Sequence, residues 1–395
     1  MIYFDNAATS YPKPRYTLDA VGEAFRRYGA NPGRGGHKMA IETSEMVFKA
    51  RQELITLLGG EDPERVIFTQ NCTGATNLAI KGILRAGDHV IISSMEHNAV
   101  WRPVDALARA GVIRYDIATV VPDDPAATVE NFRRLLRRGT RLICCVHGSN
   151  VFGTLQPVEE ICELAHGEGI LFLLDAAQTA GVLPIDLREL PADFVCIAAH
   201  KGLYAPTALG ALIVNCDEPL GTLLEGGSGS LSKEPAMPPF LPDRLEAGTV
   251  NTMGIAGLRG GLRFLRRRTV AGIHRSEMAL TNYLYEGLEK IDGVILYNRP
   301  QLPVLSFGIE GMSGEAVTEA LAKQGFALRG GFHCSPLAHQ TMGTYESGTA
   351  RIGIGAFNTR EQATALLRAV AAASCRPRSA KELACKTVTL SPRSE

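Results

Sequence analysis

In "AAHKGLYAPTALGALIVN", residues 198–215, Lys201 follows His200 between an apolar run and a turn containing Gly and Pro. A lone ammonium is costly to bury. Lys201 therefore either points to solvent or is kept for chemistry that needs an amine, such as a Schiff base with a carbonyl. Upstream, Asp175 ends the run "ILFLLD", and Gln178 follows it. A carboxylate after five apolar residues either caps a helix or meets a cation. A pyridoxal phosphate (PLP) site asks for a Lys to carry the Schiff base and an Asp beside the pyridinium nitrogen. At this spacing alone both readings of the pair stay open. A third candidate is Cys334 in "LRGGFHCSP", a loop-like setting. Arg329 and His333 are close enough in sequence to favour its thiolate, although a free Cys is more commonly a buried apolar residue.

The elements that position these residues read as alternating strands and helices from about residue 65 to 215. The runs "RVIFT", "HVIIS", "RLICCVH", "ILFLLDA", "DFVCIAA" and "ALGALIVN" read as strands, with helices near 73–85, 98–110 and 158–168. The runs are continuously apolar, which suits a mostly parallel sheet covered by helices on both faces. Ligands in such sheets sit at the carboxyl ends of strands, where Asp175 and Lys201 fall. Residues 216–250 read as a long loop rich in Gly and Pro, followed by a helical segment near 252–291. A smaller α+β pattern starts near 295, with helices at 314–324 and 360–373; Asn358 or Thr359 is the expected N-cap of the last.

Composition bounds the function. Hydrophobic residues make up 45% and charged ones 21%, as in a soluble globular protein. Lys plus Arg and Asp plus Glu number 41 each, which gives no electrostatic reason to expect nucleic acid or an anionic membrane as partner. No apolar run approaches the roughly 20 residues of a membrane helix, and the start lacks a signal-peptide pattern, so a cytoplasmic location is expected. The nine cysteines contain no C-x-x-C pair. Neither a metal site nor a disulfide framework is expected from them.

The blocks "YFDNAATSYPKP", "DAAQTAG", "AAHKGLYAPTALGAL", "RGGFHCSPLAH" and "RIGIGAFNTREQ" occur in the order found in the PLP-dependent class V aminotransferases. They resemble in particular that family's cysteine desulfurase and selenocysteine lyase branch, over nearly the whole chain to about residue 375. The resemblance implies PLP fold type I, an α/β fold with a mostly parallel central sheet, helices on both faces and a smaller α+β domain. The large domain would span 15–260, the small one 1–14 and 261–375, with a polar tail at 376–395.

Residue by residue, the resemblance implies that Lys201 carries the Schiff base and, once freed, moves the substrate Cα proton. Asp175 would keep the ring nitrogen protonated, Gln178 would bond the ring phenolic oxygen, and His97 would stack on the ring. Thr73 and Gly74, at a helix start that could equally be a plain N-cap, would hold the phosphate with His200. Thr249 would reach the phosphate of a neighbouring subunit, which implies a homodimer. Arg329 and Arg351 would bind the substrate carboxylate, Asn150 would face substrate or ring, and the Ala8 backbone would lie near the substrate. Cys334 would take sulfur from L-cysteine as a persulfide, leaving L-alanine, and pass it to a sulfur-acceptor protein, for example in iron–sulfur cluster assembly. Two positions depart from the pattern. Ala198 stands where a Ser or Thr would donate to the phosphate, a loss on the order of 1 kcal/mol. Phe332 stands where relatives often have a second His. The cofactor residues leave open selenocysteine lyase, transamination and epimerisation; a non-catalytic scaffold is the remote alternative.

Overall fold

The computed structural model describes residues 1–33 and 35–375; the tail expected over 376–395 lies outside the described residues. Seven strands form the central sheet in the order Val66–Thr69, Gly210–Val214, Phe194–Ala198, Leu171–Asp175, Thr140–Val146, His89–Ser93 and Arg114–Ala118. Gly210–Val214 runs antiparallel to both neighbours, and the other pairings are parallel. The continuous apolar runs have a direct cause. On one face Ile143, Cys145, Phe172, Leu174, Val195 and Ile197 join one buried cluster, and on the other Leu142, Cys144, Leu173, Phe194 and Cys196 join a second. Alternate residues of each strand thus point into two cores, so every position is apolar.

Two expectations change at this level. The strand Arg114–Ala118 and the helices Arg15–Arg27, Lys38–Leu57 and Pro125–Leu135 lie outside the elements read from the sequence. The helical segment near 252–291 is two helices, Thr252–Arg268 and Val270–Leu288, split at Thr269. Thr269 has φ of 57°, outside the helical region, and its side chain accepts the Gly272 amide to cap the second helix. The last helix, Arg360–Ser374, starts at Thr359 with a capping box completed by Gln362.

A second, antiparallel sheet has the order Arg329–Gly331, Thr349–Gly353, Val304–Ile309 and Val294–Leu296. The N-terminal strand Ile2–Tyr3 pairs parallel with Phe326–Ala327, and Asp5 bridges Gly353. These pairings bring the segment after Phe4 onto the second sheet. The main sheet leaves His89–Ser93 for the edge strand Arg114–Ala118 and returns to Thr140–Val146. That reversal opens a crevice at the carboxyl ends; His97 and Asn150 follow the two strands that flank it, and Asp175 ends the next strand, Leu171–Asp175.

Candidate active site

Strand Leu171–Asp175 is buried along most of its length and ends by presenting Asp175, which is 2% exposed. Its Oδ1 accepts the Ala177 amide at 2.9 Å and the Cys72 thiol at 3.8 Å. Burial raises the Asp175 carboxyl, while the Ala177 amide, Lys201 and the Cys72 thiol oppose that rise. Gln178, in the turn beyond, donates from Nε2 to the Ala7 carbonyl at 3.0 Å; the second hydrogen of that amide remains for a ligand.

Lys201 sits in the turn after strand Phe194–Ala198. It lines a cavity, and its amine makes no ion pair or hydrogen bond among the described residues. Desolvation lowers its pKa, with Cys72 and Asp175 opposing and Arg351 and Arg329 assisting. That is the environment an amine needs to react as a nucleophile near neutral pH. His200 beside it is pulled down to about 4, chiefly by burial and then by Lys201 and Lys13; its Nδ1 has no partner. His97 caps the helix Asn98–Arg109 by accepting the Ala99 amide on Nδ1 at 3.0 Å. Burial, then the charges of Lys201 and Arg329, pull it down to about 3. A neutral ring with Nδ1 accepting carries its proton on Nε2.

Cys334 is the exposed thiol of this region, whereas Cys72, Cys144, Cys145, Cys162 and Cys196 are buried. His333 and Cys334 both take left-handed backbone conformations, with φ of 51° and 61°. Two such residues in succession without Gly are strained, and polar contacts hold them. The Asn98 amide donates to the Cys334 carbonyl at 2.8 Å. Asn150 Nδ2 donates to the His333 carbonyl at 2.8 Å, and Ser335 Oγ donates to Asn150 Oδ1 at 2.7 Å. The thiol is thereby tied to the residue next to His97.

One cavity of about 210 Å³ brings together Ala8, Thr73, His97, Asn150, Asp175, Gln178, Ala198, His200, Lys201, Arg329, Cys334 and Arg351. Two expected residues are elsewhere. Gly74 does not line it; its amide donates to Asn71 Oδ1, the N-cap of helix Cys72–Ile83. Thr249 lines a separate cavity of about 180 Å³, where its hydroxyl accepts from Asn31 at 3.2 Å. Asn150 borders the main cavity, yet both ends of its amide serve the Cys334 turn. Arg351 is 2% exposed, ion-paired to Asp5 at 2.7 Å and bonded to the Asn150 carbonyl at 2.9 Å, with Nε unpartnered. Sequence reasoning missed Asp5, the Asn98 amide and the Cys72 thiol. Asp5 stood in a quoted block; Cys72 carried no signal beyond its place at a helix start.

The chain belongs to the class V aminotransferase family, which it matches over residues 2–366. A protein of Methanothermobacter thermautotrophicus described as a probable cysteine desulfurase is 33% identical over 374 residues, covering 91% of this chain and 92% of the relative. The cysteine desulfurase of Haloferax volcanii is 30% identical over 388 residues, covering 94% and 89%. Among solved structures, the apo cysteine desulfurase of Thermococcus onnurineus NA1 superposes with a TM-score of 0.86 at 27% identity over 94% of both chains. The cysteine desulfurase CsdA of Escherichia coli superposes with a TM-score of 0.84 at 26% identity, again over 94% of both.

The family is PLP-dependent, and the residues present fit that cofactor. An unpaired amine and a buried carboxylate line one cavity, as a Schiff base and a protonated ring nitrogen require. Neutral His97 and the unpartnered Nδ1 of His200 add a flat apolar face and a free polar edge.

Proposed function

We propose that the protein is a cysteine desulfurase that converts L-cysteine to L-alanine and holds the sulfur as a persulfide on Cys334. The observation that carries this reading is the placement of an exposed thiol, fixed in a strained turn, in the same cavity as the unpaired amine of Lys201. PLP supplies, when bound, an electron sink conjugated to the substrate Cα. Lys201 anchors it and then carries the Cα proton. Asp175 would balance positive charge at the ring nitrogen, Gln178 would offer its free N–H to the ring oxygen, and His97 would cover the ring face. Thr73 and His200 serve the phosphate; Ala198 offers no hydroxyl there. Arg329 and Arg351 take the substrate carboxylate, beside the Ala8 backbone. The Cys334 thiolate attacks the substrate sulfur. An S–S bond forms as the Cβ–S bond breaks, the electron pair stays on carbon, and protonation there completes alanine.

We infer further that the chain acts as a homodimer, with Thr249 and its cavity completing the partner's phosphate site. The exposed apolar side chains Leu18, Phe25, Met39, Ile41 and Phe48 on two N-terminal helices support a covered face there. We divide the chain into a large domain over 15–260 and a small one over 1–14 and 261–375; the N-terminal strand's pairing with Phe326–Ala327 supports this. A cytoplasmic location and a sulfur-acceptor protein complete the reading; among the described residues no helix is long and apolar enough to cross a membrane. Incubation of purified protein with cysteine, followed by alanine assay and mass spectrometry of the Cys334 peptide, tests the central reaction. Alanine without added sulfur on Cys334 rejects it.

A further inference from the structure

The backbone around Lys201 is held from one side by the N-terminal arm. The His200 carbonyl, which belongs to the peptide bond leading into Lys201, has four donors within reach. They are the Ser10 amide at 3.2 Å, Thr9 Oγ1 at 3.1 Å, Ser10 Oγ at 3.2 Å and Lys13 Nζ at 2.7 Å. A carbonyl oxygen has two lone pairs, so these donors compete. The ammonium contact is the shortest and is charge-assisted, the stronger kind.

Lys13 makes a second contact that settles the competition. Its Nζ also donates to Ser10 Oγ at 2.8 Å, and Ser10 Oγ lies 3.0 Å from the Lys201 carbonyl. A hydroxyl has one proton to give. With Lys13 occupying both the His200 carbonyl and a lone pair of Ser10 Oγ, that proton is directed to the Lys201 carbonyl. On their other sides these groups are also engaged: the Lys201 amide donates to Ala198, and the Lys201 carbonyl accepts from Tyr204. The peptide planes on either side of the Lys201 Cα are therefore both fixed. Two peptide planes determine where the Cα–Cβ bond points. The side chain of a lysine that must bind a cofactor, leave it and carry a proton then swings from a fixed origin.

We propose that Lys13 is a positioning residue for Lys201, acting through the His200 carbonyl and the Ser10 hydroxyl. Lys13 does not line the main cavity, so it aims the amine without touching cofactor or substrate. The proposal rests on the reading of Lys201 as the Schiff-base lysine.

The test compares the wild-type holoenzyme with Lys13→Met, Lys13→Arg and Ser10→Ala. Four quantities are read: the visible circular dichroism of bound PLP, the rate at which hydroxylamine strips it, kcat and KM for cysteine, and the melting temperature. Misplacement of a reacting group by less than an ångström lowers kcat, so Lys13→Met is expected to lose on the order of tenfold in kcat with KM little changed. Its cofactor signal shifts and hydroxylamine acts at an altered rate, while the melting temperature and PLP content stay near wild type. Lys13→Arg, which keeps a cation, recovers the wild-type cofactor signal. Ser10→Ala reproduces the Lys13→Met signature in weaker form, and carries the test should Lys13→Met fail to fold. Wild-type cofactor dichroism and hydroxylamine rate in Lys13→Met, or in Ser10→Ala if that variant stands in, overturn the proposal. A wild-type protein whose bound PLP shows no hydroxylamine-sensitive band overturns the Lys201 reading itself, and this proposal with it.

Discussion

Arg329 and Arg351 stand directly opposite each other across the antiparallel strands Arg329–Gly331 and Thr349–Gly353. Like charges at opposed positions repel. Asp5 neutralises Arg351, while Arg329 is exposed and lines the cavity. The pair is unfavourable for an empty cavity and favourable for a carboxylate between the two guanidinium groups. Arg329→Gln is expected to raise KM for cysteine by about tenfold to a hundredfold, the worth of one charged hydrogen bond. The melting temperature without substrate does not fall. An unchanged KM removes Arg329 from the substrate site.

Lys201 is a liability to the protein without its cofactor. Its folded pKa lies below the ordinary 10.5, chiefly through desolvation. Between the folded and unfolded values the unfolded chain binds more protons, so stability rises with pH across that window. Lys201→Met removes the penalty. In cofactor-free protein the variant is expected to be more stable than wild type at neutral pH by urea unfolding, with the gap closing as pH rises toward 10.5. A variant less stable than wild type at neutral pH contradicts the placement of the amine.

The Cys334 turn separates backbone strain from chemistry. Gly adopts positive φ without the Cβ penalty, so Cys334→Gly is expected to be more stable than Cys334→Ala by about 1 kcal/mol. Both lose sulfur transfer and keep PLP. Asn150→Ala strips the amide from the His333 carbonyl and Ser335. It is expected to cost about 1–3 kcal/mol of stability and to slow persulfide formation with bound PLP retained. Denaturant titration and single-turnover sulfur transfer read the two effects; Asn150→Ala at wild-type transfer rate rules out the clamp.

Glu277 is 4% exposed, and its carboxyl accepts the Tyr204 hydroxyl at 3.5 Å. Burial pushes its carboxyl from 4.5 up to about 8. Between those values the folded protein holds the extra proton, so stability falls as pH rises from 4.5 through about 8. Glu277→Gln stays neutral and is expected to flatten that fall. Parallel pH–stability slopes for variant and wild type refute the shift.

Much of the site could be read from the sequence because it lies at the ends of unmistakable apolar runs. Asp175 and Lys201 follow such runs, and the two-cored sheet explains why those runs do not alternate. The strand Arg114–Ala118 escaped notice because it is a half-exposed edge with Arg and Asp among its five residues. The helix Pro125–Leu135 did announce itself, with Asp124 as N-cap and Pro125 at its first position. The Cys334 turn was legible as a loop but not as a left-handed one. Its conformation depends on Asn98 and Asn150, which are remote in sequence and brought near by the sheet reversal. Likewise Asp5 meets Arg351 because Ile2–Tyr3 pairs with Phe326–Ala327. Such contacts are products of topology and leave no local pattern.

The central claim is that Cys334 takes sulfur from cysteine in a cavity organised by Lys201. The direct measurement is one turnover of the PLP-loaded protein with L-cysteine, followed by intact-protein and peptide mass spectrometry. The account predicts one added sulfur on Cys334 for each alanine formed, and neither product in Cys334→Ala despite full PLP. Stoichiometric alanine from Cys334→Ala, or added sulfur on another cysteine alone, contradicts it.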